Sequence, residues 1–493
     1  MSSTTTAPSG GPAPAGDDGG SAQSAAPQQS FASGARILTI GIASTGIFTF
    51  LYLAIASNVL SPPEYSRISL CWAIMFVILS VIYRPIEQLL SRTIADRRAR
   101  GLHGHSLRVP AAIQFGFAVL FLIVALALRH QIQQGMFDGS STLYWILVIG
   151  VLAYAGSYFA RGWLAGHERF DLYGGLVFLE STSRFLFALA VAVGIGSGQG
   201  AVGLGMAVAP FASLSVMPLA FSRLRRRAPA GTPAADAARE GPAHGALEEA
   251  STDLTLRHGA GFAVSVVGIM LAEQTLMNAG VLIVAASSTG GSLTSGLTGF
   301  VFNVLLIVRA PLQLFQAIQT SILPHLAGLE ARESGDQFRR AIRITVLAIA
   351  GFAAAVALGL LLIGPFVMTA LLGNKGFHNN RFGLAVVGLG MGLHLAAGTF
   401  NQAALARGRA AQAAVAWLVA AALFVAFVAL PTISSEVTRV EVGYFAAALV
   451  LCGLLYAVYR LGAARPGEGP RSPARPGEGA RAAPATSAAE RRA

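Results

Sequence analysis

Twelve long apolar stretches divide this chain of 493 residues. An α-helix needs about 20 apolar residues to cross a bilayer, and each stretch has roughly that length or more. Only 12% of the residues are charged, whereas about a quarter are charged in soluble domains. The sequence therefore predicts an all-α polytopic membrane protein and excludes a soluble multi-domain enzyme. The predicted helices are 36–60, 66–91, 109–128, 142–160, 172–195, 200–222, 259–285, 297–322, 342–372, 382–405, 411–431 and 440–461.

Arginine and lysine are distributed unevenly between the loops on the two sides of these helices. Nineteen lie in one set of loops, within 92–108, 161–169, 223–257, 332–343 and 407–409, and five lie in the opposite set. Because basic residues favour cytoplasmic loops, we expect both termini in the cytoplasm and the chain in the cell (inner) membrane. The same distribution accounts for most of the net charge of +12 and argues against nucleic acid as a partner.

A polar segment at 223–258 separates six predicted helices from the other six. We expect it to be a cytoplasmic linker between an N-lobe, 34–222, and a C-lobe, 259–462. Because six is an even number, both lobes enter the membrane from the same side, which predicts a parallel pseudo-twofold relation between them. Residues 1–33 and 463–493 are poor in apolar side chains and are predicted to be disordered tails.

Two polar stripes interrupt the apolar helices, one in the second predicted helix of each lobe. They are Ser80, Arg84, Glu87, Gln88 and Ser91 in the first, and Arg309, Gln313, Gln316 and Thr320 in the second. A charged residue costs about 2.5–3.5 kcal/mol at the centre of a membrane helix, so such residues usually face a cavity or a partner. Either the stripes line a shared central cavity, or Arg84 pairs with Glu87 and joins helices. Their equivalent positions favour the cavity.

Three further charged side chains lie within predicted helices. Glu180 and Arg184 are one helical turn apart and can pair with each other. Arg184 is also a candidate for substrate binding, and Glu180 for binding a coupling ion. Glu273 has no basic neighbour within a turn of its own helix, so we expect a partner on another helix or a coupling-ion role. His394 shares a helix face with Asn401, which is more typical of packing than of ligand binding.

Signatures of an enzyme are missing from the sequence. The predicted extracytoplasmic loops are short and hold few acidic residues, which leaves no room for a metal site or a pair of catalytic carboxylates. The linker has no P-loop. No catalytic residue, metal site or cofactor is therefore predicted, and a membrane-embedded polysaccharide polymerase or ligase is the alternative from another functional class.

Short motifs between the predicted helices carry a family resemblance. They are Leu60-Ser61-Pro62-Pro63-Glu64-Tyr65, Gly166-His167-Glu168-Arg169-Phe170, and Pro324-His325-Leu326 followed by the segment 336–343. In their order and position among twelve helices, they make the chain resemble the oligosaccharide (O-antigen type) flippases of the multidrug/oligosaccharidyl-lipid/polysaccharide exporter superfamily. The first motif has Ser61 where that family usually has glycine.

The resemblance implies two six-helix lobes around a central cavity. It also implies alternating access, by which a polyprenyl-diphosphate-linked oligosaccharide moves from the cytoplasmic to the outer leaflet for cell-surface polysaccharide biosynthesis. The implied partners are this lipid-linked oligosaccharide, the bilayer, and the glycosyltransferases and polymerase of the same pathway. A cation-coupled multidrug antiporter of the same superfamily is the alternative.

The chemistry of that cargo points to the arginines. A diphosphate carries about two negative charges, and arginine binds phosphate through two parallel hydrogen bonds. Arg84 and Arg309, one from each lobe, are therefore the predicted diphosphate clamp. The other predicted substrate-binding residues are Glu87, Gln88, Arg184, Gln313 and Gln316, and Glu273 and Glu180 are the coupling-ion candidates.

Overall fold

The structure, a computed structural model, describes residues 25–99, 107–218, 242–287, 296–307, 309, 312, 335–373 and 380–463. Within these residues the chain consists of helices and the turns between them, with no strand. Nine of the helices in this part of the chain are long and apolar enough to cross a membrane, and three are shorter and apolar. The predicted all-α membrane fold is confirmed.

Each of the twelve predicted helices has a counterpart among the described residues. They are α1 (Ala25–Val59), α2 (Pro62–Ile78, Leu79–Tyr83 and Arg84–Ala99 in one continuous helix), α3 (Arg108–Ala127), α4 (Ser141–Gly166), α5 (Phe170–Ala192), α6 (Gly198–Leu214), α7 (Pro242–Ser287), α8 (Leu297–Ile307), α9 (Gly335–Ala370), α10 (Arg381–Ala406), α11 (Ala410–Ala429) and α12 (Glu436–Ala463). A short helical segment, Arg129–Gln131 with the π turn Ile132–Met136, lies between α3 and α4.

The two halves of the chain pack their helices in the same pattern. In the first half α1 packs on α5, α3 on α4, α4 on α6, and α5 on α6. The second half repeats each contact six helices later, with α7 on α11, α9 on α10, α10 on α12, and α11 on α12. Helices α2 and α7 contact each other across the two halves. The fold therefore has two six-helix lobes of matching arrangement.

The start of α2 gives a structural reason for the first motif. Both the backbone N–H and the hydroxyl of Ser61 donate hydrogen bonds to Glu64 Oε2, at 3.1 and 2.7 Å. Pro62 follows at the first helical position, where its missing N–H leaves no helical bond unmade. The motif therefore begins a membrane helix immediately after the previous one ends.

A wide π turn, Leu79–Tyr83, interrupts α2 directly before Arg84 and Pro85. Proline has no N–H, so the carbonyl of Val81, four residues earlier, loses its usual helical partner. A π turn places one extra residue in a helix and often lies at a functional site. The orientation of the polar stripe that follows depends on this turn.

Several helices extend beyond their predicted ends. Helix α1 begins at Ala25, inside the predicted tail, and α7 begins at Pro242, inside the predicted linker. Helix α4 runs to Gly166, so Arg161 lies in a helix and its assignment to a loop was wrong. Hydropathy does not reveal these extensions because they are polar. They can form because adding residues to an existing helix costs little free energy. Residues 1–24, 219–241 and 464–493, where most of the predicted tails and linker fall, lie outside the described residues.

Candidate functional site

A cavity of about 770 Å³ lies between the two lobes. Its volume falls within the range of about 300–1,000 Å³ that is typical of small-molecule sites. Helices α1, α2, α4 and α5 form one wall, which we call the N-wall, and α7, α8, α10 and α11 form the other, the C-wall. The predicted site residues that line it are Arg84, Glu87, Gln88, Glu180, Arg184, Glu273 and Arg309. The structure therefore brings the charged residues of both lobes to one cavity; Gln313 and Gln316 lie outside the described residues.

Glu180 is the centre of a buried ionic network on the N-wall. Arg184 Nη2 lies 3.4 Å from Glu180 Oε1, which confirms the predicted pair, and Arg161 forms a second ion pair with Glu180 Oε2. The hydroxyls of Tyr154 and Ser157 donate to the same carboxylate at 3.1 and 3.3 Å. One glutamate thus holds two arginines, and the group keeps an excess positive charge.

Aromatic rings hold the two arginines of this network in position. The guanidinium carbon of Arg161 lies 4.6 Å from the centre of the Tyr158 ring. That of Arg184 lies 5.2 Å from the Trp72 ring and 5.7 Å from the Phe76 ring. Cation–π contacts of this kind are stronger away from water. Ion pairs and aromatic rings therefore hold both arginines of the N-wall in place.

Arg84 and Glu87 do not form the simple pair that would join helices. The Glu87 carboxylate accepts a hydrogen bond of 2.7 Å from the hydroxyl of Tyr173 on α5. Glu273 lines the same cavity from the opposite wall. The arrangement supports the cavity interpretation of the first stripe.

Arg309 is held firmly on the C-wall. Its Nη2 donates to the carbonyl of Met277 at 2.6 Å and to Asn278 Oδ1 at 2.7 Å, both on α7. Its guanidinium carbon lies 4.8 Å from the Phe302 ring, and its Nε is buried with no hydrogen-bond partner among the described residues. Arg309 therefore faces the cavity from a neutral setting, unlike the arginines of the N-wall.

Apart from Arg309 and Glu273, the lining of the C-wall that the structure describes is polar or apolar and carries no further charge. Trp417 Nε1 donates to Asn401 Oδ1 at 3.2 Å, and the Trp417 ring meets the His394 ring edge-on with centroids 5.3 Å apart. Gln402 lines the cavity beside them, and its Oε1 has no partner among the described residues. His394 and Asn401 lie on one helix face, as predicted. Asn401 accepts the hydrogen bond from Trp417, and the His394 ring packs against the Trp417 ring.

Beyond the cavity, the lobes touch at the helix ends that the predicted topology places outside the cell. The buried amide of Asn303 on α8 is the centre of this contact. Its Nδ2 donates to Ser57 Oγ at 2.9 Å and to the Leu372 carbonyl at 3.3 Å, and its Oδ1 accepts from the hydroxyl of Tyr65. The amide therefore bonds to both lobes at once.

Close backbone approach extends the same contact. The N–H of Gly299 donates to Ser66 Oγ at 3.0 Å, and Asn58 Nδ2 donates to the Leu371 carbonyl at 2.8 Å. A Cβ atom on Gly299 would lie 2.8 Å from the Tyr65 ring, so only glycine fits there. We call this contact the outer seal; it comprises Ser57, Asn58, Tyr65, Ser66, Gly299, Asn303, Leu371 and Leu372. Sequence reasoning missed it, although Tyr65 stands in the first motif.

Solved structures with this arrangement are known. A multidrug resistance MATE family transporter of the MOP superfamily, in its inward-facing conformation, has a TM-score of 0.58 at 12% identity over 87% of this chain and 97% of that one. The chain has the fold of a MATE transporter. A eukaryotic MATE transporter gives a TM-score of 0.58 at 12% identity, covering 88% of this chain and 96% of its own. The Vibrio cholerae MATE transporter VcmN in its bent form gives 0.54 at 14% identity, covering 88% and 98%.

These likenesses concern the fold. No protein-family model matches the sequence, and no curated protein sequence matches it. The solved neighbours are named as MATE transporters, so the resemblance of the loop motifs to O-antigen type flippases stays a prediction.

Proposed function

We propose that this protein exports a polyprenyl-diphosphate-linked oligosaccharide from the cytoplasmic to the outer leaflet of the cell (inner) membrane. One observation carries the proposal: four arginines and three glutamates line a cavity between two transporter-like lobes, which leaves an excess of positive charge. Charged side chains are costly in a membrane protein and usually mark a substrate pathway. A cavity of this charge suits an anionic cargo.

The diphosphate would bind between the two walls. Arg84 and Arg309 remain the proposed clamp, because they lie on opposite lobes and both line the cavity. Arg161 and Arg184 add positive charge beside them, and Glu180 acts as their counter-ion. Glu273, on the opposite wall, remains the candidate for binding a coupling ion.

The outer seal supports alternating access as the transport mechanism. With the seal formed, the cavity is separated from the outside by hydrogen bonds between the lobes, which is the arrangement for loading from the cytoplasm. Release would require these bonds to break and their groups to bind water. Outward movement of negative charge across an inside-negative membrane is favourable by about 2.3 kcal/mol per charge per 100 mV.

A cation-coupled multidrug antiporter is the second candidate. The observation that favours it is the likeness in fold to transporters named for multidrug resistance. Four arginines in the cavity count against a cationic drug, since they would repel it. The two candidates therefore differ in the charge of the cargo.

Reconstituted vesicles test the proposal directly. The full-length protein should flip a fluorescent lipid-linked oligosaccharide and should not accumulate a cationic dye. Arg309→Ala should abolish flipping, and Arg309→Lys should restore it only in part, because lysine keeps the charge but loses the two parallel bonds. Arg340→Ala is the matched control, since Arg340 is exposed on α9 away from the cavity. Full flipping by Arg309→Ala would contradict the clamp, and dye transport alone would favour the antiporter.

A further inference from the structure

The turns that join α4 to α5 and α10 to α11 have the same backbone in the two lobes. Glu168 and Gly408 occupy the same place in them, with φ angles of 56° and 70°. Arg169 and Arg409 follow, and the N–H of each donates at 2.9 Å to the carbonyl five residues earlier. The two turns are therefore equivalent positions of the two lobes and can be compared residue by residue.

The charges on these equivalent turns differ. Residues 167–171 hold one arginine and two carboxylates, and Arg169 pairs with Asp171 at 3.3 Å. Residues 407–411 hold two arginines and no carboxylate. Because the same backbone forms with either set of charges, the turn itself does not require the excess of arginine in the C-lobe.

Arg407 and Arg409 lie against the end of α12. Arg407 Nη1 donates to the Tyr459 carbonyl at 3.3 Å, and Arg409 Nη1 donates to the Val458 carbonyl at 3.2 Å. The guanidinium carbon of Arg407 also contacts two rings, at 4.5 Å from the centre of Phe338 and 5.2 Å from that of Tyr459. Backbone and ring contacts thus hold both arginines at one place on the C-lobe.

The surface beside these arginines is basic, aromatic and apolar. The guanidinium carbon of Arg460, an exposed residue of α12, lies 6.0 Å from the centre of the Tyr456 ring. Tyr456 is 45% exposed, and Leu461 is 68% exposed. Tyrosine is enriched where a membrane protein meets the headgroups of the bilayer. We call this surface the basic corner; it comprises Phe338, Arg407, Arg409, Tyr456, Tyr459 and Arg460.

The length of α9 places the basic corner at the membrane surface. Helix α9 has 36 residues, which span about 54 Å, whereas the hydrocarbon core of a bilayer is about 30 Å thick. All its charged residues lie within 335–343, so this end of the helix reaches the headgroups. Phe338 lies in that segment and stacks on Tyr459, with ring centroids 6.4 Å apart. The predicted topology places this end in the cytoplasm.

A phospholipid matches both parts of this surface. Its phosphate oxygens accept charge-assisted hydrogen bonds from arginine. Its acyl chains pack on exposed apolar side chains such as Leu461. Basic sites between membrane helices on the cytoplasmic side are known to bind lipid headgroups. A soluble anion would use only the arginines and would leave the apolar surface uncovered.

We propose that the basic corner binds the phosphate of an anionic phospholipid of the phosphatidylglycerol type in the cytoplasmic leaflet. Arg407 and Arg409 contact the phosphate, Arg460 adds positive charge beside it, and the acyl chains lie along α12 at Leu461. The equivalent turn of the N-lobe lacks this property because its carboxylates offset its arginine. The inference concerns the bilayer, so it holds whichever cargo the cavity takes.

Photolabelling in a bilayer tests the site. The full-length protein in nanodiscs of phosphatidylcholine receives a small fraction of phosphatidylglycerol that carries a diazirine in its acyl chain near the headgroup. After irradiation, mass spectrometry measures the labelling of residues 454–461. We expect this probe to label the segment more strongly than a phosphatidylcholine probe with the same acyl chain. Equal labelling by the two probes would overturn the proposal.

Two pairs of variants identify the charges that bind the lipid. Arg409→Gln should reduce labelling by phosphatidylglycerol by up to about fivefold, the contribution of one basic residue at an anionic membrane surface. Arg169→Gln, at the equivalent position of the N-lobe, should leave it unchanged. Arg460→Gln repeats the test at an exposed residue, whose loss does not endanger folding, with the exposed Arg340→Gln of α9 as its control. Unchanged labelling in Arg409→Gln and Arg460→Gln would contradict the proposal.

Competition separates a lipid from a free anion. Replacing part of the phosphatidylcholine by unlabelled phosphatidylglycerol should reduce labelling of residues 454–461 by the probe. Added inorganic phosphate or diphosphate should not reduce it, since neither has an acyl chain to cover the apolar surface. Displacement of the probe by inorganic phosphate would show a site for soluble anions and would overturn the assignment to a lipid.

Discussion

The two walls of the cavity differ in how many of their polar residues are charged. The N-wall concentrates charge, with Glu180 holding Arg161 and Arg184 in one network. The C-wall carries one arginine and one glutamate, together with the neutral indole, amide and imidazole groups of Trp417, Gln402 and His394. Matching helix arrangements in the two lobes therefore carry different chemistry. The difference is consistent with the proposed cargo, which has a charged diphosphate and a neutral, hydroxyl-rich sugar.

The largest expected effect is on stability, and it belongs to the N-wall. Glu180→Gln leaves two buried arginines without their counter-ion, and breaking a buried pair in this way costs about 3–5 kcal/mol. Glu273→Gln is the matched change on the C-wall, where the carboxylate is only half-buried. We expect a clearly lower apparent Tm in detergent for Glu180→Gln than for Glu273→Gln. Equal values would show that the network does not depend on Glu180.

The next effect is on transport and separates two neighbours within one stripe. Arg84→Gln should reduce flipping by roughly ten- to a hundredfold, since a hydrogen bond to a charged group contributes about 1.5–3 kcal/mol. Glu87→Gln should be mild, because Tyr173 can still donate to the amide oxygen. The double variant should be as impaired as Arg84→Gln alone. Rescue in the double variant would instead show that Arg84 and Glu87 act as a pair.

The smallest effect concerns the neutral wall. Gln402→Ala should weaken binding of a prenyl diphosphate that carries a sugar by about two- to tenfold, the range of one neutral hydrogen bond. Binding of bare farnesyl diphosphate should stay unchanged, as measured by tryptophan fluorescence. Equal losses for both probes would remove the distinction between the two walls.

Much of this architecture follows from sequence patterns that act locally. All twelve helices could be predicted, because the apolar length needed to cross a bilayer is a property of each segment alone. The predicted site residues that the structure describes all reach the cavity, because a charged residue within a membrane helix has few acceptable positions. Glu180 and Arg184 could be paired because they stand one turn apart on a single helix.

What could not be predicted depends on contacts between distant segments. Arg161 directly follows the predicted end of a helix. Because that end was placed a few residues too early, Arg161 was assigned to a loop instead of to the cavity wall. Asn303 bonds Ser57 and Tyr65 across more than two hundred residues, and nothing in either segment marks the partner. Each of these depends on lobe packing, which a single sequence does not display.

The π turn in α2 gives the charged stripe a rotational register. An α-helix advances by about 100° per residue, so winding Leu79–Tyr83 as a regular α-helix, with no residue removed, would turn everything after it by about that angle. Arg84, Glu87 and Gln88 would then point along the lobe surface instead of into the cavity. The extra residue of the π turn therefore sets the direction of these side chains. A change in the width of this turn would redirect the charges of the N-wall without moving either lobe.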